Sequence, residues 1–222
     1  MREMPGLSMS RPVTWIAVIA AAGLLVVAAL AFALGRAGEN RTAQRLDSAG
    51  PYRGSEAPGR IALPDFALAD STGKVVRSRR LRGRVVLLTF LDSQCTESCP
   101  LIASQVARTL DALTPRERSQ IVPIAISTDP AEDSRRSVRV FLRRNRAVGR
   151  LHYLGGGEPV ARMRALWKRF HILSSLESGQ DTLHSAPVRI YDRSGVWVAT
   201  LHAGADLTRA NLAHDLRLAL LS

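Results

Sequence analysis

Two cysteines, Cys95 and Cys99, are the residues of this chain whose type and spacing most clearly indicate chemistry, and they are its only cysteines. They follow an apolar stretch, Val85 to Phe90, whose β-branched composition predicts a buried strand, and they precede a segment with helical periodicity. Because Pro100 favours the first turn of a helix, we expect Cys99 at or near the helix N-cap. Unpaired amides and the positive end of the helix dipole stabilise an anion at such a position. The sequence therefore predicts a Cys99 thiolate and not an inert core cysteine.

The spacing of the pair, CxxxC, is compatible with more than one kind of site. If the segment is helical, residues four apart share a face, with Cβ atoms about 5 to 6 Å apart. Since a disulfide prefers Cβ atoms about 3.8 Å apart, it requires local adjustment, whereas two thiolates converging on a soft metal ion require less. The spacing permits both and slightly favours a metal. Thiolate-bound copper commonly takes a further ligand such as imidazole, so the candidates for a third ligand are histidines.

The chain offers five histidines for that role. His184 lies in the stretch DTLHSAPVRIYDRSG, directly before a predicted strand beside the central one, and a loop at this place can lean over the cysteines. Position alone leaves two interpretations of His184 open, a metal ligand or an exposed loop histidine. The other four are interpreted as ordinary surface, loop or core-edge residues: His152, His171, His202 and His214.

The formal net charge of +12 comes almost wholly from arginine, because Lys74 and Lys168 are the only lysines. The arginines are scattered, aromatic residues make up 5% of the chain, and no groove-reading helix or base-stacking motif accompanies the charge. We therefore expect no nucleic-acid partner. Solvated helix and loop faces explain the charge best, and an anionic membrane surface or an acidic partner protein comes next.

The N-terminal part of the chain predicts a membrane anchor. Residues 13–35 are apolar on all sides and long enough to span a bilayer, which favours an uncleaved transmembrane helix after a short cytoplasmic tail, residues 1–12. Cleavage after Ala33 stays open, and positive charges on both sides leave the orientation undecided. Residues 36–60 have a linker composition, and residues 61–222 are expected to form the folded domain.

The domain has the pattern of an α/β sandwich with an N-terminal hairpin. A right-handed crossover from the strand at Val85 would place the cysteines at the carboxyl end of the central strand, where open α/β sheets bind ligands. The pattern predicts these elements in order: a hairpin around 71–73, a strand at 85–90, a helix from 100, a strand at 121–126, a helix after 134, a strand at 151–154, a helix at 160–170, a hairpin over 188–201 and a helix at 207–220.

Several single residues sharpen this prediction. Thr114 and Glu117 fit a capping box at the start of a short helix, and Asp133 or Ser134 can cap the next one. Pro123 indicates that its strand is not hydrogen-bonded along both edges.

Four stretches of the sequence carry a resemblance to a known family: LPDFALADSTGKVV, LRGRVVLLTFLDSQCTESCP, ISTDPAEDS and HSAPVRIYDRSG. Together, from about Ile61 to Leu220, they resemble the Sco/SenC family of membrane-anchored, copper-binding, thioredoxin-like proteins. The resemblance implies a thioredoxin-like sandwich with an N-terminal β-hairpin extension, preceded by one transmembrane helix. It also implies that Cys95, Cys99 and His184 bind copper, as Cu(I) and/or Cu(II).

The same resemblance implies a location and a partner. It places the protein in the bacterial inner membrane as a single-pass protein, with its domain on the periplasmic or outer side. The implied roles are copper delivery to the dinuclear copper site of cytochrome c oxidase, on its copper-bearing subunit, and thiol-disulfide reduction of that site's cysteines. The chain departs from the family pattern around the first cysteine, at Ser93, Gln94 and Thr96, and after the histidine, at Pro187. Asp129 and Asp133 match an acidic patch frequent in the family.

Two hypotheses of different classes follow. The leading one is a copper metallochaperone that holds copper with the two thiolates and the histidine. The alternative is an enzyme, a thiol-disulfide oxidoreductase that cycles Cys95 and Cys99, with Cys95 as the attacking thiol if it is the more exposed. A peroxidase is a weaker third interpretation, because the chain lacks a convincing threonine and arginine beside a single cysteine. The two leading activities are compatible, since copper binding requires the reduced pair.

Overall fold

The computed structural model describes residues 50–172 and 186–222, which form a six-stranded sheet and a separate two-stranded hairpin. The strand order in the large sheet is β1-β8-β7-β4-β5-β6, and β2 pairs with β3. The strands are β1 (Ser55–Glu56), β2 (Ala67–Ala69), β3 (Val75–Arg77), β4 (Val85–Leu91), β5 (Ile121–Ser127), β6 (His152–Leu154), β7 (Val188–Tyr191) and β8 (Trp197–Leu201).

Five α-helices and one 3₁₀ turn accompany these strands in the described part of the chain. The helices are α1 (Ser98–Ala112), α2 (Pro115–Ser119), α3 (Arg135–Arg144), α4 (Val160–Phe170) and α5 (Arg209–Leu221), and the 3₁₀ turn is Ser78–Leu81. The predicted bounds of α4 and β7 are confirmed to the residue, and the predicted N-terminal hairpin is β2 and β3.

Strand β4 is the centre of the sheet, and all seven of its residues are buried. It pairs in parallel with β5 and antiparallel with β7, and an apolar cluster covers each of its two faces. This double coverage explains why its sequence is a continuous apolar run and not an alternating one. Pro123 is accommodated because β6 pairs only with the next three residues of β5, Ile124 to Ile126.

Two apolar clusters lie on opposite sides of the sheet. Helices α1, α3 and α5 contribute to one cluster, and α4, the β2–β3 hairpin and the 3₁₀ turn contribute to the other. Alternate residues of β4 divide between them: Val85, Leu87 and Leu91 in the first, and Val86, Leu88 and Phe90 in the second. The predicted α/β sandwich is therefore confirmed.

The starts of α2 and α3 show which capping predictions hold. Thr114 and Glu117 form the reciprocal capping box of α2. Helix α3 is capped by Ser134, whose side chain accepts a hydrogen bond from the Ser137 amide. Asp133 is therefore not the cap, and its carboxylate has other partners.

The compact unit begins before residue 61, the start that the sequence predicts for the folded domain. Strand β1 pairs with β8, and the Asp215 carboxylate accepts hydrogen bonds from the amides of Arg53 (2.8 Å) and Gly54 (2.9 Å). The compact unit runs from Gly50 to Ser222, so the last part of the expected 36–60 linker belongs to it. Composition could not reveal this, because these residues are held by backbone hydrogen bonds and not by an apolar face.

The predicted cytoplasmic tail (1–12) and transmembrane anchor (13–35) lie outside the described residues. Within 50–172 and 186–222, no helix has the length and apolar character needed to cross a membrane.

Candidate metal centre

The two cysteines lie between the end of β4 and the first turn of α1, and both are free thiols. Both are largely buried, with exposed fractions of 8% for Cys95 and 6% for Cys99. Cys95 is in the connecting loop. Helix α1 starts at Ser98 with Glu97 as its N-cap, so Cys99 is the second helical residue and not the cap. Pro100 stands at the third helical position, still in the first turn as predicted.

The first turn of α1 points its amides at Cys95. The backbone N–H of Cys99 donates to Cys95 Sγ at 3.4 Å, and Ser98 Oγ lies 3.8 Å from the same sulfur. Because the free amides of a helix start point out of its N-terminus, the stabilised sulfur is the one that precedes the helix. The expected Cys99 thiolate is therefore wrong, and the stabilised thiolate belongs to Cys95.

The pKa values of the two thiols separate accordingly. A hydrogen bond from the Cys99 thiol, with further ones from the Cys99 and Glu97 amides and from Ser98, lowers the pKa of Cys95 to about 6 in spite of its burial. The same thiol-thiolate bond, together with burial, raises the pKa of Cys99 far above its ordinary value. At neutral pH the pair therefore holds one proton, on Cys99, and one negative charge, on Cys95.

Asp133 fixes the loop that carries Cys95. Its fully buried carboxylate accepts hydrogen bonds from the Ser93 amide (2.8 Å), Ser127 Oγ (2.6 Å) and Tyr153 Oη (2.7 Å). These donors come from the cysteine loop, from β5 and from β6, so one side chain ties the loop to two strands. Burial raises the pKa of Asp133, against these hydrogen bonds.

Two neighbours shape the surroundings of Asp133. The Asp129 carbonyl accepts from the Asp133 amide at 3.0 Å and so closes the turn that presents it. Gly156 lies against the Asp133 carbonyl so closely that a Cβ atom there would collide with the backbone. In the sequence, Asp133 stands out only as a possible helix cap or as part of an acidic patch. Its role in the loop depends on contacts up to forty residues away, which no local pattern signals.

The histidines that the structure describes do not complete a metal site. His152 lies in β6, His171 ends α4 in a left-handed conformation, His202 follows β8, and His214 in α5 contacts Asp215 at 2.9 Å. Among residues 50–172 and 186–222, no three histidine, cysteine, aspartate or glutamate side chains come together as a possible metal site. His184, the predicted third ligand, lies outside the described residues.

The strand that follows His184 begins at the edge of the sheet where the cysteines lie. Strand β7 runs antiparallel to β4, with Ile190 opposite Leu87 and Arg189 opposite Leu88. Moving back along β7 therefore leads toward the carboxyl end of β4. Ala186, two residues after His184, packs against the apolar cluster that contains Cys95 and Cys99.

Comparisons with known proteins agree with this geometry. The family model described as SCO1/SenC matches residues 55–220. A protein of Stutzerimonas stutzeri described as a putative copper-binding protein is 27% identical over 139 residues, which cover 62% of this chain and 68% of that protein.

Solved structures show the same fold. BsSco, described as a member of the Sco family of cytochrome c oxidase assembly proteins, has a TM-score of 0.62 at 18% identity, covering 75% of this chain and 98% of that one. Bradyrhizobium japonicum ScoI, solved with copper bound, has a TM-score of 0.54 at 22% identity, covering 72% and 100%. The predicted thioredoxin-like architecture of the domain is confirmed. Since the family model matches most of its length, the chain belongs to the SCO1/SenC family.

Proposed function

We propose that this protein is a copper metallochaperone that binds copper through Cys95, Cys99 and His184 and delivers it to the copper-bearing subunit of cytochrome c oxidase. The observation that carries the proposal is the thiol-thiolate pair at the edge of the sheet where β7, the strand that follows His184 in the sequence, begins. Membership of the SCO1/SenC family and the copper binding and oxidase assembly named for its relatives support it.

The chemistry of the pair suits a soft metal ion. Cys95 already carries a negative charge, so it can donate to copper without first losing a proton. Binding by Cys99 releases its proton to solvent, which makes copper affinity rise with pH. An imidazole from His184 would complete a sulfur-rich set of the kind that favours Cu(I).

Transfer to the partner would proceed by ligand exchange, in which incoming sulfur or imidazole ligands replace those of this chain one at a time. Because oxidation of the pair to a disulfide removes both thiolate ligands, the redox state controls whether copper can load. A disulfide switch is described for BsSco, which is consistent with such control.

A thiol-disulfide oxidoreductase is the second candidate, and the low pKa of Cys95 favours it. The exposed fractions of the two cysteines, 8% and 6%, do not distinguish an attacking thiol from a resolving one. The metallochaperone is preferred because the named relatives are described by copper binding and oxidase assembly.

A copper titration tests the proposal. We would titrate the reduced, metal-free full chain anaerobically with Cu(I) and separately with Cu(II), and follow the thiolate-to-copper absorption bands. The wild type should bind about one copper per chain, and His184→Ala should weaken copper affinity by more than about tenfold. Loss of a residue that only orients a metal ligand often weakens metal affinity by about tenfold or more, so loss of a ligand should cost at least as much.

The matched control is His202→Ala, which removes an exposed histidine from the end of β8. It should leave both stoichiometry and affinity unchanged. Equal copper affinity in wild type and His184→Ala would reject the proposed ligand set. Turnover of a disulfide substrate that persists in His184→Ala, without copper binding by the wild type, would favour the oxidoreductase.

A further inference from the structure

A groove of about 650 Å³ opens beside Cys95. The cysteine loop, from Ser93 to Thr96, forms one wall, and helix α3 with the residues on either side of it forms the other. Amide side chains stand on both walls, Gln94 on the loop and Asn145 after the helix. Cys95 is thus one of the residues that line this concave surface.

The α3 wall is strongly basic. Five of its ten residues are arginines and none is acidic: Arg135, Arg136, Arg139, Arg143 and Arg144. Arg136 and Arg144 line the groove, and no carboxylate lines it in the described part of the chain. Within residues 50–172 and 186–222, none of the five guanidinium groups has an ion pair or a hydrogen bond.

This arrangement serves the stability of α3 only in its last turn, where Arg143 and Arg144 complement the helix dipole. Arg135 and Arg136 occupy the first turn, where positive charge opposes the helix dipole. Arg135, Arg139 and Arg143 follow one another at four-residue spacing, which places like charges next to each other on the helix surface. The first-turn charges and the row of like charges do not benefit the helix and are better explained by what they attract.

We propose that the groove is the docking surface for an acidic, sulfur-bearing segment of a partner protein, whose carboxylates pair with Arg136 and Arg144 while its sulfur meets Cys95. The proposal rests on the proposed function to the extent that Cys95 is the atom at which ligands are exchanged. Arginine suits this task, because its planar guanidinium can bind a carboxylate with two parallel hydrogen bonds.

A protein segment fits the groove better than an anionic membrane surface does. A bilayer presents a broad charged plane, whereas the two arginines lie in a concave site that also contains a thiol and two amide side chains. The amides can bind a peptide backbone, and the Cys95 thiolate can exchange with a sulfur of a partner protein. Charge and sulfur chemistry therefore select the same partner.

Disulfide reagents that differ in charge test this docking preference without copper. Dithiobis(nitrobenzoate) carries two carboxylates, and dithiodipyridine carries no charge. The Cys95 thiolate attacks one sulfur of the reagent and releases one thiolate, and Cys99 then attacks the mixed disulfide and releases the second thiolate and its own proton. The cysteine pair loses two electrons and the reagent gains two, and the chain has no other thiol to react.

We would measure both rates by absorbance for the full chain at low and high ionic strength. For each thiol we divide the rate with the anionic reagent by the rate with the neutral reagent, and we then divide the protein's ratio by that of a small free thiol. For the wild type at low salt, this normalised ratio should be about ten. Arg136→Glu with Arg144→Glu should reduce that ratio by about tenfold or more, and high salt should remove most of the difference.

The matched control is Arg108→Glu with Arg116→Glu, which changes the net charge equally at two exposed arginines away from the groove. It should leave the ratio within about twofold of the wild type, since distant exposed charges are screened. An equal loss in both double variants would show only an effect of overall charge and would overturn the proposal. A wild-type ratio near one would overturn it as well.

The membrane alternative has its own outcome. Suppose the wild type binds phosphatidylglycerol vesicles better than phosphatidylcholine vesicles, and the Arg136 and Arg144 double variant does not, while its reagent ratio stays at the wild-type value. The arginines would then face lipid and not a protein, and the docking proposal would be overturned. Copper titration of the same variant separates the two proposals. If the double variant binds copper normally but has lost its preference for the anionic reagent, the docking proposal is supported. If the wild type itself binds no copper, only the proposed function is rejected.

Discussion

At the scale of single residues, the two cysteines are unequal although they belong to one motif. Cys95 is held as a thiolate by hydrogen bonds from Cys99 and from the first turn of α1, while Cys99 keeps the shared proton. The inequality comes first from the hydrogen bond between the two sulfurs, then from the amides at the start of α1, which favour the Cys95 thiolate, and from burial, which disfavours a Cys99 thiolate.

This inequality predicts a pH dependence. The alkylation rate of Cys95 by iodoacetamide should reach half its maximum near pH 6 and fall at lower pH, because the thiolate is the nucleophile. In Cys99→Ala the main hydrogen bond is lost, so the midpoint should move up toward the ordinary thiol pKa. Mass spectrometry of the alkylated peptide would follow the rates, and a midpoint that stays near pH 6 in Cys99→Ala would contradict the shared-proton arrangement.

At the scale of elements, short strand β1 is attached to the sheet by backbone contacts and by one buried side chain. Asp215 is fully buried in α5, and its carboxylate accepts the amides of Arg53 and Gly54. A fragment that starts at Ile61 lacks both donors and leaves a buried carboxylate with fewer partners, which is costly.

We therefore expect the fragment 61–222 to be less stable than the fragment 50–222 by about 2 to 4 kcal/mol in urea unfolding. Asp215→Ala in the longer fragment serves as the control, because it removes the acceptor itself. If the Asp215 contacts are the cause, truncation should cost much less in the Asp215→Ala background than in the wild type. Equal stability of the two unmodified fragments would place the domain boundary back at residue 61.

The elements also show how far sequence reasoning reaches. Apolar period and turn residues were sufficient for β4, α4, β7 and the N-terminal hairpin, because burial of a continuous face determines them. The same reasoning missed β1 and misplaced the stabilised thiolate, because both depend on backbone amides, which carry no sequence signature. It identified the cysteines of the candidate site but not the loop support from Asp133, whose partners come from three separate segments.

At the scale of the whole molecule, we propose that the folded unit is tethered to the bacterial inner membrane through residues 13–35, with the proposed copper site on the outer side. The described domain has no helix of its own that could serve as an anchor. Delivery to a membrane-embedded oxidase would then take place across a short distance, with both partners held at one surface.

A reporter fusion tests this topology. Alkaline phosphatase joined after Ser222 should be active in the full chain, because that enzyme needs the oxidising environment outside the cytoplasm to form its disulfides. Deletion of residues 13–35 should abolish the activity while fusion protein is still made. An active fusion in the deletion variant, or an inactive one in the full chain, would contradict the proposed orientation.

The close approach of Gly156 to the Asp133 backbone gives a position distant in the sequence an influence on the cysteine loop. Any side chain at residue 156 must push Asp133 away, and the carboxylate of Asp133 is what holds the Ser93 amide, two residues before Cys95. A substitution as small as Gly156→Ala would therefore alter the cysteine loop although it removes no ligand, no charge and no apolar contact. Because the atom that a Cβ would meet is the backbone oxygen of Asp133, changing a neighbouring side chain would not restore the missing space.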